Sequence, residues 1–381
     1  MKAHQVVKRW FGVLAIAASL SATQAVAQPI PIVGLAELSG PGAGSGTHFR
    51  DGMQLAAKEI NAAGGIMGRK LALTVVDTQS SPGTAKALAT KAVDDEAFAI
   101  IGPVFSGSVL VSSEVARRGQ TPNFVGGEAT AITEKGNPYV FRTSFSQANA
   151  MPKVGRYIAE DMKAKTVALT YVNNDFGKGG RDALVKDLAA RGLKVVADIP
   201  TEQGQLDFSS VIVKARQAQP DVLFAYYTVD ESARFLIEAR KQGFAPPIIG
   251  ETTIMQQSVI ALAGAAANGA RGHVGLTIDA PNPLVKAFSE RFEREYKYKS
   301  SHEGIKGYTA LYILKAAVER TGKLDREAVA KTMHGLKLSA KDHPGILLDV
   351  AYDDKGDIQR ESYIVEVKEG RQVVIKTMSA E

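Results

Sequence analysis

Residues Ala97–Gly127, AFAIIGPVFSGSVLVSSEVARRGQTPNFVGG, decide the fold. Ala97–Ile101 is a short apolar run ending in Gly102-Pro103, which reads as a buried strand closing on a turn. Ser106, Gly107 and Ser108 follow, and an apolar-periodic segment (Val109, Val111, Val115, Ala116) runs on to Arg117, Arg118 and Gly119. Hydroxyls at its start and cations with a glycine at its end mark a helix. Thr121–Val125 is a second short strand, finishing on Gly126-Gly127. The unit is β-loop-α-β, and its loop presents backbone amides and the Ser106 hydroxyl at a helix N-terminus. Unpaired amides and the helix dipole both favour carboxylates or phosphates there. Open parallel sheets bind ligands at the carboxyl ends of their strands, where this loop sits. Plain helix capping by the serines explains the same residues, and the segment alone leaves both readings open.

The alternation extends in both directions. Upstream, Ile30–Glu37 reads as a strand, followed by the glycine-rich Ser39–Gly46, a helix over Thr47–Asn61, a strand over Lys70–Asp77 and a helix over Pro82–Asp95 capped by Ser81. Residues 131–146 break the rhythm with turn residues and read as a crossing to a second unit. Helix and strand then alternate again from Ala150 to Gly250, with Asn173–Gly177 as a loop and Glu251 directly after a strand. Two long amphipathic helices, Pro283–Tyr296 and Gly304–Arg320, and a shorter one over Arg326–His334 come next. Two alternating strands, Leu347–Asp353 and Ser362–Lys368, flank the turn Asp354–Asp357. The fold class expected is α/β, with two doubly wound parallel-sheet lobes.

The chain has 381 residues and a formal charge of +6. Its first 27 residues combine Lys2, Lys8 and Arg9, the apolar Trp10–Leu20 and the small-residue site Ala25-Val26-Ala27, which reads as a cleaved secretory signal peptide. Removing them leaves 354 residues with 43 basic and 40 acidic side chains, so half of the positive balance belongs to the signal. No basic stripe is interleaved with aromatics, which argues against nucleic-acid binding. No later stretch reaches the roughly 18 uninterrupted apolar residues of a membrane span. The absence of cysteine excludes disulfides, thiol chemistry and a lipid-modified N-terminal cysteine. The expectation is a freely diffusing periplasmic protein, not lipid-anchored, of two domains.

Catalytic and cofactor signatures are missing. Gly40–Gly46 lacks both the Gly-Lys-Ser/Thr ending of a phosphate loop and the G-x-G-x-x-G spacing. The six histidines show no metal-ligand spacing, and no G-x-S-x-G elbow surrounds any serine. Asp175, Asp207 and Asp221 sit where capping explains them. Glu251, at the ligand-facing end of a strand, suits a cationic ligand group.

Taken in order, these segments resemble the type I periplasmic binding proteins of ABC transporters, in the leucine/isoleucine/valine-binding branch. The markers are Leu38-Ser39-Gly40-Pro41, Glu59–Ile66, Asp77–Pro82, Ile101-Gly102-Pro103 with Ser106-Gly107-Ser108, Asp175-Phe176-Gly177, Asp207-Phe208-Ser209, and Tyr352-Asp353 with Lys355-Gly356-Asp357. The resemblance implies two lobes joined by three crossover segments and closing on a small ligand. It places lobe 1 over residues 28–146 and 278–357, and lobe 2 over 147–277 and 358–381. It also implies that Ser106 and the backbone of Glu128, Ala129 and Thr130 hold an amino-acid carboxylate. Thr130 and Glu251 then hold the ammonium, and Phe176 comes from the second lobe. Ser45, Phe105 and Tyr227 complete the expected ligand-binding set. Ser45 stands where a tyrosine is often found, Phe105 and Ser80 where two cysteines pair in some members, and Glu128 where small residues are usual. Branch members also bind aromatic acids, 2-oxo acids and amides.

The expected function is therefore a monomeric, non-enzymatic receptor that delivers a branched-chain or similar apolar amino acid to a membrane permease. No cofactor, metal or nucleic acid is expected. The competing readings are a receptor for an aromatic or 2-oxo acid or amide on the same fold, and a secreted hydrolase.

Overall fold

In the computed structural model, which describes residues 28–380, the first apolar run forms β1 (Ile30–Ala36). The signal-peptide expectation falls on residues 1–27, outside the described residues. Then come α1 (Ala43–Ala62), β2 (Leu71–Asp77), α2 (Pro82–Asp94), β3 (Ala99–Ile101), α3 (Ser106–Arg118), β4 (Asn123–Val125), α4 (Ala131–Glu134) and β5 (Val140–Arg142). The five strands form one parallel sheet in the order β2-β1-β3-β4-β5. β1 lies between β2 and β3, so the winding reverses there. The loops leaving β1 and β3 flank the resulting crevice, the place where such sheets bind ligands.

The second series is α5 (Gln147–Glu160), β6 (Thr166–Val172), α6 (Asp175–Ala190), β7 (Lys194–Thr201), α7 (Ser209–Gln217), β8 (Val222–Tyr226), α8 (Val229–Lys241), β9 (Ile248–Glu251), α9 (Gln257–Ala263) and β10 (Arg271–Val274). Its winding reverses between β6 and β8. After β10 the chain adds α10 (Pro283–Tyr296), α11 (His302–Thr321), α12 (Arg326–Met333) and the short strands β11 (Lys337–Leu338), β12 (Val350–Tyr352) and β13 (Ile358–Gln359). It ends in β14 (Ser362–Lys368) and β15 (Arg371–Met378), an antiparallel edge beyond β10.

α11 lies far from α1 in sequence, yet the two cross with their backbones touching. A Cβ on Gly52 would stand 2.0 Å from the Gly304 carbonyl, and one on Gly307 would stand 2.1 Å from the Phe49 carbonyl. Only glycine permits that approach. The crossing fixes the first turn of α11 against the crevice of the first sheet. The strands β11–β13 join the same lobe, because the buried Arg142 of β5 pairs with Asp357 and its amide donates to the Gly356 carbonyl at 3.0 Å. The chain thus passes between the two sheets after β5, after β10 and between β13 and β14.

Three local expectations change. Residues 131–146 contain β5, a full member of the first sheet, so the crossing begins only at Thr143. The turn signals around Pro138 had hidden its three buried residues. The strands flanking Asp354–Asp357 do not pair with each other: β12 belongs to the small sheet and β14 to the second lobe. Asn173–Gly177 opens α6 itself, with Asn174 as its cap.

Candidate functional site

The loop between β3 and α3 is held from beneath by Glu37, which follows β1. Its carboxylate accepts from the Val104 amide at 3.2 Å and the Phe105 amide at 2.9 Å. Burial outweighs these bonds and lifts the Glu37 carboxyl to about 7. Gly102, at φ +92, lets this loop turn where a side chain would strike the Leu35 carbonyl.

α3 begins after Phe105, which has no group to cap it. Ser106 does not cap it either: its Oγ accepts from the amides of Glu128 (3.3 Å) and Ala129 (3.1 Å), locking the next loop. Ser108 is buried, and its Oγ has no partner among the described residues. α1 likewise starts without a side-chain cap. The facing ends are different. α6 is capped by Asn174, α8 by the Thr228–Glu231 capping box and α11 by Ser301. Helix dipole and uncapped amides are therefore offered to an anion chiefly by α3, since the turn Gly40–Gly42 runs directly into α1 and the amides of Gly42 and Ala43 are taken by Ser80 Oγ and the Gly40 carbonyl.

A buried charge cluster stands beside these ends. Lys306 Nζ donates to Glu128 Oε1 at 2.9 Å, to Glu303 Oε1 at 3.4 Å and to the Gly126 carbonyl at 3.3 Å. His302 Nε2 stands 2.9 Å from Glu303 Oε1. Burial works against ionisation of Glu303, but Lys306 and His302 overcome it and hold its carboxyl at about 2. Burial lifts Glu128 above its usual range, only partly offset by Lys306. Burial also opposes the charge on Lys306, yet Glu128 and Glu303 hold it above the ordinary lysine value. Glu303 Oε2 has no partner among the described residues.

Across the cleft, Phe176 stacks on Tyr226 with ring centroids 4.1 Å apart. Gln147 fixes both by donating to the Phe176 carbonyl (2.6 Å) and the Tyr226 hydroxyl (3.1 Å). The Tyr226 hydroxyl in turn reaches Glu128 Oε2 of the first lobe at 3.4 Å. Between these walls lies a cavity of about 210 Å³.

Of the expected residues, Ser45, Phe105, Ser106, Glu128 and Phe176 line this cavity together. Ala129, Thr130, Tyr227 and Glu251 do not. Ala129 packs behind Ser106 with Val109, Val125 and Ile132, and its carbonyl accepts from Arg142 at 2.7 Å. The Thr130 hydroxyl is buried without a partner among the described residues. Tyr227 points to the opposite face of its sheet from Tyr226, as the period of two dictates, and bonds Thr170 in the core beside Phe208. Glu251 sits deeper. Its Oε1 accepts from Thr252 at 2.7 Å and faces His273 Nδ1 at 3.2 Å. Burial pushes His273 down to about 3, so this partner is neutral. The lining residues that sequence reading passed over are chiefly Ser108, Glu303, Lys306 and Thr228. The available signal was a Glu-Lys pair three residues apart in the first turn of a helix otherwise apolar on nearly every side.

Two wound lobes, a cleft at both switch points and polar groups converging into it are the architecture of a two-lobed binding protein. The chain belongs to the periplasmic binding protein family, whose sequence profile matches residues 29–372. It is 27% identical over 367 residues to the leucine-, isoleucine-, valine-, threonine- and alanine-binding protein of Pseudomonas aeruginosa, covering 96% of each chain. Its fold matches that of a leucine-binding protein from Thermotoga maritima (TM-score 0.84, 23% identity, 92% of this chain and 99% of that one). It equally matches an ABC-transporter solute-binding protein from R. palustris in complex with benzoate (TM-score 0.84, 23% identity, 92% and 96%). No helix among the described residues is long and apolar enough to cross a membrane.

Proposed function

We propose that this protein is the periplasmic receptor of an ABC importer, and that it captures a small amino acid between its lobes for delivery to a membrane permease. The observation that carries this reading is a pair of residues lining one cavity, Ser108 and Glu303, each with a buried oxygen that has no partner among the described residues. A hydroxyl beside an uncapped helix N-terminus suits a carboxylate, and a carboxylate oxygen without a donor suits an ammonium. A zwitterion supplies both. The ammonium is thus assigned to Glu303 and Glu128, which line the cavity, and not to Glu251, which lies outside it. Val104, Phe105, Pro82 and Phe176 offer an apolar slot for a branched or similar side chain.

A second reading rests on Lys306, a cation that also lines the cavity. With Glu128 already paired to it, an aromatic or 2-oxo acid without an ammonium finds a counter-charge there. Calorimetry on leucine, isoleucine, valine and phenylalanine beside their 2-oxo analogues separates the two. Binding of the amino acids alone supports the first reading. Binding of only the 2-oxo acids, or of benzoate, replaces it with the second.

A further inference from the structure

Three chain crossings join the lobes, and the side chain of Phe145 meets all of them. Phe145 belongs to the first crossing, after β5, and is buried. On the second crossing, directly after β10, stands Gly275, where an added Cβ would lie 2.0 Å from Phe145 Cδ2 and 2.6 Å from Cε2. The backbone of Gly275 lies outside the left-handed region, so the ring, and not the turn, requires glycine there. The third crossing, between β13 and β14, brings Arg360, whose guanidinium lies 5.5 Å from the ring centre. Arg360 Nη2 also donates to the Thr143 carbonyl at 3.2 Å, which ties the third crossing to the first. From the second lobe, Lys153 of α5 places Nζ 5.0 Å from the centre of the same ring. His273 of β10 meets the ring in a T-shaped contact with centroids 5.8 Å apart.

These contacts to the ring are dispersive, aromatic or cation–π, and none is a directed hydrogen bond. Such contacts keep most of their strength when the groups turn against one another, whereas a hydrogen bond weakens steeply with angle. A ring held in this way lets three backbone segments swing while it maintains their spacing. Neither Phe145 nor Gly275 lines the ligand cavity. We propose, on the reading that the cleft captures its solute between the lobes, that Phe145 is the pivot of the hinge and Gly275 its clearance. The pair sets the relative pose of the lobes and, through it, the affinity of the cleft. Both are positioning residues that never touch the solute.

Gly275→Ala puts a methyl group where the ring now lies. From 2.0 Å, restoring an ordinary contact of about 3.5 Å takes a retreat of about 1.5 Å at the hinge, which the length of the lobes magnifies at the cleft mouth. The chain has no cysteine, so cysteines introduced at Lys86 of α2 and Lys178 of α6, exposed residues one in each lobe, carry spin labels at defined places. Electron–electron resonance without solute should show the distance between them shifted by at least about 3 Å in Gly275→Ala. In Gly275→Ala/Phe145→Leu, where the smaller side chain makes room, the native distances should return. Native distances in Gly275→Ala overturn the proposal, even with a lowered melting temperature, and so does a shift that Phe145→Leu fails to reverse. Should Gly275→Ala fail to fold, Phe145→Leu decides alone: it should broaden the distance distribution, and an unchanged one overturns the pivot. Calorimetry with leucine and with benzoate reads the consequence for binding. Whichever of them the native protein takes should bind about tenfold more weakly to Gly275→Ala, because the closed fraction is smaller, and within about threefold of native to the double variant. Equal affinity in Gly275→Ala and the native protein overturns the link between hinge and cleft. Failure of both to bind the native protein counts against the proposed solutes alone, since the distances need no solute.

Discussion

Lys306→Met removes the cation that two buried carboxylates share, and its effect can be worked out from the cluster. Glu128 Oε1 loses a donor at 2.9 Å and Glu303 Oε1 one at 3.4 Å, while His302 still faces Glu303. Removing one partner of a buried ion pair costs about 3–5 kcal/mol, because the remaining charge is left in a dry site. The pH dependence follows from the same geometry. In the native protein Glu303 is held at about 2, below its ordinary 4.5. Its contribution is therefore complete above the unfolded value and is lost as the pH falls from there toward the native one. In the variant, burial dominates and the carboxyls rise, so the folded form prefers to keep protons. The penalty is then largest near neutrality and shrinks as the pH falls. Urea unfolding followed by circular dichroism at about pH 7.5 and about pH 5 should show a loss of about 3–5 kcal/mol that falls by at least half at the lower pH. A loss below about 1 kcal/mol, or an equal loss at both pH values, would refute the reasoning.

The two serines of α3 should behave differently. Ser106→Ala strips an acceptor from two amides and should lower stability by about 1 kcal/mol, whereas Ser108→Ala removes an orphan and should leave stability within about 0.5 kcal/mol. Calorimetry should instead find ligand affinity reduced by about 1–3 kcal/mol in Ser108→Ala, and an unchanged affinity would remove that hydroxyl from the site. Glu37, lifted from 4.5 to about 7, contributes stability that is complete below its unfolded value and lost as the pH rises through its folded one. The native protein should therefore lose about 3 kcal/mol relative to Glu37→Gln across that window, and parallel pH profiles for the two would contradict it. Finally, a solute clamped between the lobes should raise stability by about 2.7 kcal/mol at a hundredfold excess over Kd and reduce the radius measured by small-angle scattering. A saturated protein of unchanged radius would count against closure.

Much of this molecule is written locally. Buried strands such as Val222–Tyr226 and amphipathic helices such as Pro283–Tyr296 were legible to the residue, because period and cap residues are properties of neighbouring positions. The helix N-terminus at Ser106 was legible for the same reason, and glycine, serine and proline around it announced a ligand-facing loop. The sequence by itself also determined that two wound units share one chain, since the alternation restarts after a break.

What it did not determine is which distant residues meet. Glu251 ends a strand as expected, but whether its carboxylate faces the cleft or His273 depends on β10, paired beside β9 from 22 residues further along. Tyr226 and Tyr227 are adjacent and chemically alike, and only the packing of β8 between β6 and β9 sends the first toward Glu128 and the second into the core. Lys306 enters the site because Gly52, Gly304 and Gly307 allow α1 and α11 to touch, a contact between segments some 250 residues apart. Local periodicity carries no information about such meetings. They are decided by close packing and by the need of every buried charge to find a partner.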